Sequence, residues 1–183
     1  MSIVVFLIDT LFFVLVAAAL LRAWLNAARI AMWQQPGPFV LAVTDWLVKP
    51  LRRGLPAGWQ RSRWDVASLF AAAVLALLHA SALVGLGAFG GAVQGMGPAL
   101  LMALPVLAVK ILLKAMLQTL LYLALAYAVL SWVQPHAPVL GWLQRLLSPL
   151  LQPIRRFVPL VGGVDLSALV FVVLLQTGLM LLG

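Results

Sequence analysis

Two pairs of arginines stand between prolines, one pair in each half of the chain: Pro50-Leu51-Arg52-Arg53-Gly54-Leu55-Pro56 and Pro153-Ile154-Arg155-Arg156-Phe157-Val158-Pro159. A guanidinium is planar, always charged, and presents its N–H groups as a fork that matches phosphate or carboxylate oxygens two at a time. Lysine would anchor a membrane loop equally well, yet all four residues are Arg, which favours geometry. Two readings of Arg52, Arg53, Arg155 and Arg156 follow. One is topological anchoring beside anionic lipid, worth about 1 kcal/mol per basic residue near the surface. The other is a binding site for phosphate headgroups or for a partner's carboxylates.

The four acids are Asp9, Asp45, Asp65 and Asp165. Asp65 and Asp165 each open an apolar run, as N-caps that would accept otherwise unpaired backbone N–H groups. Pairing with the neighbouring arginines is compatible with capping. Asp9, His79 and Lys114 fall inside apolar runs, where ionisable groups are costly and therefore functional candidates. At about 1.5 Å per residue all three lie at similar depth, away from the arginine loops. An Asp9–Lys114 pair or snorkelling to the interface explains them; a polar cluster for ion or proton passage is the sharper alternative. Gln118, Thr119, Gln176 and Thr177 read as interhelical hydrogen-bonding groups.

Catalysis finds little support in these residues. The chain has no Cys, hence no disulfide, thiolate metal site or thiol redox chemistry. It has no Glu, no metal-ligand cluster, and no Ser–His–Asp set within reach of one membrane face. His79 and His136 lie on opposite sides of the apolar layer and cannot jointly ligate one haem. No cofactor and no metal are expected.

The elements that must position these residues are membrane helices. Hydrophobic residues make up 65% of the 183 and charged residues 9%, too apolar for a water-soluble chain of this size to bury. Four runs reach or approach the 20 or so residues that cross a hydrocarbon core: about 3–24, 66–85, about 111–133, and 166–182. The N-terminal stretch lacks the basic flank of a signal peptide and reads as a retained span. Residues 98–110 are apolar but too short to span. They fit either an interfacial segment or an extension of the third span beyond Pro105.

The net charge of +8 lies in loops flanking apolar runs, which points to membrane orientation and away from nucleic acid. Arg29, Lys49, Arg52, Arg53, Arg61 and Arg63 fall between spans one and two, and Arg145, Arg155 and Arg156 between spans three and four. Both loops are therefore expected in the cytoplasm and both termini outside it, in a membrane of the inner-membrane type. Lys110 and Lys114 are the exceptions.

Duplication is the strongest signal in the chain. Trp24 before the first arginine pair answers Trp132 before the second, and Asp65 answers Asp165. Each half also carries a short apolar stretch, 39–48 and 141–151. In the second, Gln144, Arg145, Ser148 and Gln152 share one side at helical spacing. These stretches are expected as interfacial helices with their apolar faces down on lipid, each ended by the proline that follows. The fold class expected is all-α: about four transmembrane helices in two parallel repeats, each with a short interfacial helix and a basic cytoplasmic loop. Residues 1–85 form the first repeat, 86–110 a Gly-rich outer loop and apolar segment, and 111–183 the second.

These residues resemble the YggT family, also called YlmG. The likeness rests on the paired Pro-x-Arg-Arg-x-x-Pro elements with Pro50, Pro56, Pro153 and Pro159. It extends to Arg22 and Trp24 before the first, Ser131 and Trp132 before the second, and Gly162-Gly163-Val164-Asp165 after it. It covers nearly the whole chain, and departs from the family pattern where residues 57–64 lengthen the first loop. The resemblance implies roles in osmotic or envelope stress, cell division or nucleoid positioning, or assembly of membrane cytochrome complexes.

The residues lean towards a non-enzymatic scaffold or assembly factor working with anionic membrane lipids, with other membrane proteins, or as a homo-oligomer. A small oligomeric ion transporter or channel is the alternative. Transporters usually place charged or broken helices near the midplane, and these spans keep their charges towards one end.

Overall fold

Uninterrupted runs of Leu, Ala and Val, bounded by Pro, Gly and charged residues, form helices throughout the computed structural model, which describes residues 3–30, 32, 37–54, 65–88, 99–134, 136–156, 158 and 165–183. They are α1 (Ile3–Ala27), α2 (Gly37–Gly54), α3 (Val66–Gly85), α4 (Ala99–Val133), α5 (Pro138–Arg155) and α6 (Leu166–Leu182). No strand occurs among the described residues. The protein is an all-α membrane protein. Among the described residues, three helices are long and apolar enough to cross a membrane: Ile3–Ala27, Val66–Gly85 and Met102–Val133. The fourth apolar helix, α6, has 17 residues and so spans about 26 Å, slightly under the roughly 30 Å of a hydrocarbon core.

Helix α4 answers the question left open for residues 98–110. From Ala99 onward they belong to one continuous helix of 35 residues with Pro105 inside it. Its length of about 52 Å exceeds any bilayer core, so the segment extends the third span.

The prolines expected to end the short helices do not end them. Helix α2 runs through Pro50 to Gly54, and α5 runs through Pro149 and Pro153 to Arg155. A proline forgoes one backbone hydrogen bond and restricts the residue before it, while the residues after it remain free to stay helical. Pro50, Pro149 and Pro153 are all exposed, where the orphaned carbonyl is cheapest to leave. Pro56 and Pro159 lie outside the described residues, as do Arg61, Arg63, the loop extension 57–64 and residues 162–164.

The chain divides into two compact units, Met1–Ala115 and Met116–Gly183. In the first, α1 packs along α3, with Val16 and Ala19 against Ala72 and Leu75. Ala71 and Ala72 are fully buried, the close approach that small side chains permit between membrane helices. Ala108 on the first part of α4 meets Ala76 and Ala80. Helix α2 buries Val40, Thr44 and Val48, four residues apart and so on one face. In the second unit Leu143, Leu147 and Leu151 of α5 join Leu121, Ala124 and Tyr127 of α4 and Ala168, Phe171 and Leu175 of α6. The apolar faces of α2 and α5, expected to lie on lipid, are thus covered by the repeats' own helices. Helix–helix packing satisfies them first, which leaves Phe39 and Trp46 exposed on the outer side of α2.

Candidate functional site

Each repeat builds the same clasp, in which the Asp that caps the second long helix receives the first Arg of the Pro-Arg-Arg element. Asp65 stands immediately before α3. Its Oδ1 accepts from Ser68 N at 3.3 Å and its Oδ2 from Ser68 Oγ at 2.8 Å, so the helix's unpaired N–H groups are partly satisfied. Oδ2 also accepts from Arg52 Nη2 at 2.6 Å and from Asn26 Nδ2 at 2.8 Å. Asp165 does the same for α6. Its Oδ1 accepts from Ser167 N at 3.1 Å and from the Ser167 hydroxyl. Its Oδ2 accepts from Arg155 Nη2 at 2.5 Å, Arg155 Nε at 3.1 Å and Tyr127 Oη at 3.1 Å. Arg155 Nη2 also donates to Tyr127 Oη at 3.0 Å.

The first repeat carries a further layer. Arg22, with a side chain only 5% exposed, sends Nη1 to Asp45 Oδ1 at 2.8 Å and to Thr44 Oγ1 at 2.8 Å. Its Nε lies 3.8 Å from Asp65 Oδ2, within ion-pair range but too long for a hydrogen bond, and no hydrogen-bond partner reaches that buried Nε among the described residues. Lys49 Nζ closes the network on Asp45 Oδ2 at 2.7 Å, one helical turn along α2.

These contacts hold three carboxyls below the ordinary carboxylate value of 3.8. At Asp45 the hydrogen bond from Lys49 leads; burial pushes the other way, and the bond and charge of Arg22 with the charge of Lys49 add to the lowering. Burial is the largest influence on Asp65 and pushes it up; the bonds from Ser68 and the charge and bonds of Arg52 together overcome it. Burial again leads at Asp165, and Ser167, Arg155 and Tyr127 reverse it.

The structure thereby divides each arginine pair. Arg52 and Arg155 are committed to aspartates, whereas Arg53 and Arg156 are exposed and form no ion pair among the described residues. Arg53 sits in the last turn of α2 and Arg156 immediately after α5, where a helix's negative end favours a cation. Trp24 is half-buried and Trp132 is 53% exposed. Sequence reasoning missed Asn26 and Tyr127 as third partners, and did not foresee that Arg22 would meet Asp45. An acid in mid-helix four residues before a lysine was the available signal for Asp45.

Within the spans, Asp9 pairs with His79, two of the three residues offered as a polar cluster; the alternative Asp9–Lys114 pair does not occur among the described residues. His79 Nε2 lies 3.2 Å from Asp9 Oδ1, close enough for an ion pair yet not aligned as a hydrogen bond. Phe12 stacks on the buried imidazole with ring centroids 5.0 Å apart. Lys114 is exposed on α4. Gln118 donates to Tyr122 Oη and Thr177 to Val173 O, both within their own helices. At both positions a hydroxyl or carbonyl one turn away lies within reach. No group of three or more metal-ligating side chains occurs among the described residues.

A family model described as CCB3/YggT matches residues 1–86 and 106–183. The chain is 35% identical over 179 residues to a Vibrio alginolyticus protein named "Uncharacterized protein in proC 3'region", covering 97% of this chain and 92% of that one. It is 32% identical over 179 residues to "Uncharacterized protein YggT" of Escherichia coli K12, covering 96% and 86%. An "Uncharacterized protein" of Haemophilus influenzae is 32% identical over 165 residues, covering 88% and 82%. No solved structure matches the chain.

Proposed function

The chain belongs to the CCB3/YggT family, and from that premise we propose that it is a non-enzymatic membrane scaffold or assembly factor whose two basic loops dock anionic groups. The observation that carries this reading is the division of labour within each arginine pair. The first Arg is spent on the aspartate that caps the following helix, which fixes the loop's exit. The second, Arg53 or Arg156, is exposed at a helix terminus and forms no ion pair among the described residues. Two such forks, one per repeat, suit phosphate headgroups or a partner's carboxylates. Arg145 and Arg29, both exposed, add field of the same sign.

The positive-inside bias supports placing both loops in the cytoplasm and both termini outside a bacterial inner membrane. Roles in osmotic or envelope stress, cell division or cytochrome-complex assembly would follow from which partner the loops recruit.

The test is photo-crosslinking and capture from native membranes. Wild type is compared with Arg53→Gln plus Arg156→Gln, and separately with Arg52→Gln plus Arg155→Gln, membrane insertion being verified for each. A discrete partner lost in the first variant supports the proposal. Undiminished capture there, or loss only in the second variant, sinks it.

The Asp9–His79 pair inside α1 and α3 favours one second reading, a small oligomeric ion or proton pathway. Reconstituted protein that conducts protons or cations, and stops conducting as Asp9→Asn, would establish it.

A further inference from the structure

Asp9, Lys110 and Lys114 are charges inside the long apolar helices that the clasps do not use. The Asp9 side chain is 52% exposed, and its Oδ1 lies 3.2 Å from His79 Nε2. Lys110 and Lys114 are four residues apart, both exposed, on one face of α4. Neither forms an ion pair among the described residues. Around all three the surface is apolar, with Phe6 and Leu11 exposed on α1 and Val106, Val109 and Leu113 on α4. An ammonium or carboxylate on such a surface in hydrocarbon is costly unless it is paired or reaches water.

The packing puts Asp9 and Lys110 at about one level, with Lys114 one turn deeper. Ala80 of α3 adjoins His79, which holds Asp9, and Ala76 and Ala80 pack on Ala108 with Ile111 beside them. The Asp9 carboxylate therefore lies at the height of residues 108–111 of α4, flanked by Lys110 and, one turn of about 5.4 Å deeper, Lys114. Side chains lean towards a helix's N-terminus, so Lys114 rises towards that same level. Val16 and Ala19 of α1 and Ala115 of α4 belong to one buried cluster with Ala72 and Leu75 of α3.

We propose that two copies of the chain associate in the membrane, with Asp9 of each seated between Lys110 and Lys114 of the other. A two-fold axis along the membrane normal preserves depth, so the level match found within one copy carries across to the second. Such an axis also forms the contact twice. Each copy then supplies the counter-charge that the other's lipid-facing surface lacks.

The experiment uses the full chain in phosphatidylcholine vesicles, with energy transfer between donor- and acceptor-labelled copies. Wild type is expected to associate. Asp9→Lys alone, and Lys110→Asp plus Lys114→Asp alone, are each expected to self-associate about tenfold more weakly. Mixing those two variants places opposite charges at every contact and is expected to restore transfer. Because the chain has no Cys, a second measurement leaves the charges intact: a Phe6→Cys copy and a Val106→Cys copy are joined by a short bismaleimide. Wild-type transfer no higher than that of random collisions would overturn the proposal. So would equal transfer in all samples, or absence of the crosslink.

Discussion

The two repeats share a capping aspartate and its arginine, but they bury different third partners. In the first, a guanidinium 5% exposed lies among Asp45, Thr44 and Asp65. In the second, a tyrosine hydroxyl bridges Arg155 and Asp165. Aligning the Pro-Arg-Arg elements sets Ser148 opposite Asp45 and Gln152 opposite Lys49, and aligning the tryptophans sets Leu130 opposite Arg22. The second half has thus replaced a charged layer by neutral groups while keeping the clasp. A hydroxyl is far cheaper to bury than a guanidinium, so the first half depends on complete charge compensation where the second does not. The common core of the repeat is therefore the aspartate–arginine contact, and the surrounding layer is where the halves have diverged.

That difference can be broken most directly at the aspartates. Asp65→Asn should cost about 3 kcal/mol, because it leaves the buried Arg22 with Asp45 alone. Asp165→Asn should cost about 2 kcal/mol, since Arg155 is 30% exposed and can turn to water. Reversible unfolding in mixed micelles measures both, and equal losses would erase the distinction. Removing a whole pair should hurt less. Arg22→Leu with Asp45→Asn strands no charge inside the helix packing and should cost about 1 kcal/mol.

The third partners sharpen the comparison further. Tyr127→Phe should lose about 1 kcal/mol and Asn26→Ala about 0.5 kcal/mol, because the Asn26 bond is exposed. Acid should also separate the halves. Each of Asp45, Asp65 and Asp165 has a folded value below its ordinary 3.8, so its stabilisation is complete above that value and is lost as pH falls below it. Protection factors, corrected for the intrinsic exchange rate, should stay flat in α5 and α6 from neutral pH to about 5. Below about 3.8, protection should fall sooner in α1–α3, which hold two such carboxyls, than in α5 and α6, which hold one. Arg53→Gln and Arg156→Gln should have the smallest effect, within about 0.5 kcal/mol; a larger loss would mean that they too are structural.

Much of this was legible from residue order. The bounds of α3 and α6 coincide with the apolar runs 66–85 and 166–182, because charged and capping residues mark them sharply. Capping by Asp65 and Asp165 was legible for the same local reason. The helices running through Pro50 and Pro153 were not, since a proline's effect depends on whether its orphaned carbonyl ends up exposed. Nor was the pairing of Asp9 with His79, which rests on the register between α1 and α3.

The sequence by itself determined that the chain is a membrane protein of apolar helices, duplicated, with basic loops and capped second spans. These properties reside in composition and in spacings of a few residues, which the local physics of helices and lipid reads directly. Only the tertiary structure decided which arginine of each pair is committed to an aspartate and which has no ion pair among the described residues. It also decided that Arg22 is buried and that Asp9 chooses His79. An ion pair forms where helix packing brings two charges within a few ångströms, and that proximity is a property of the packed helices, not of the distance along the chain.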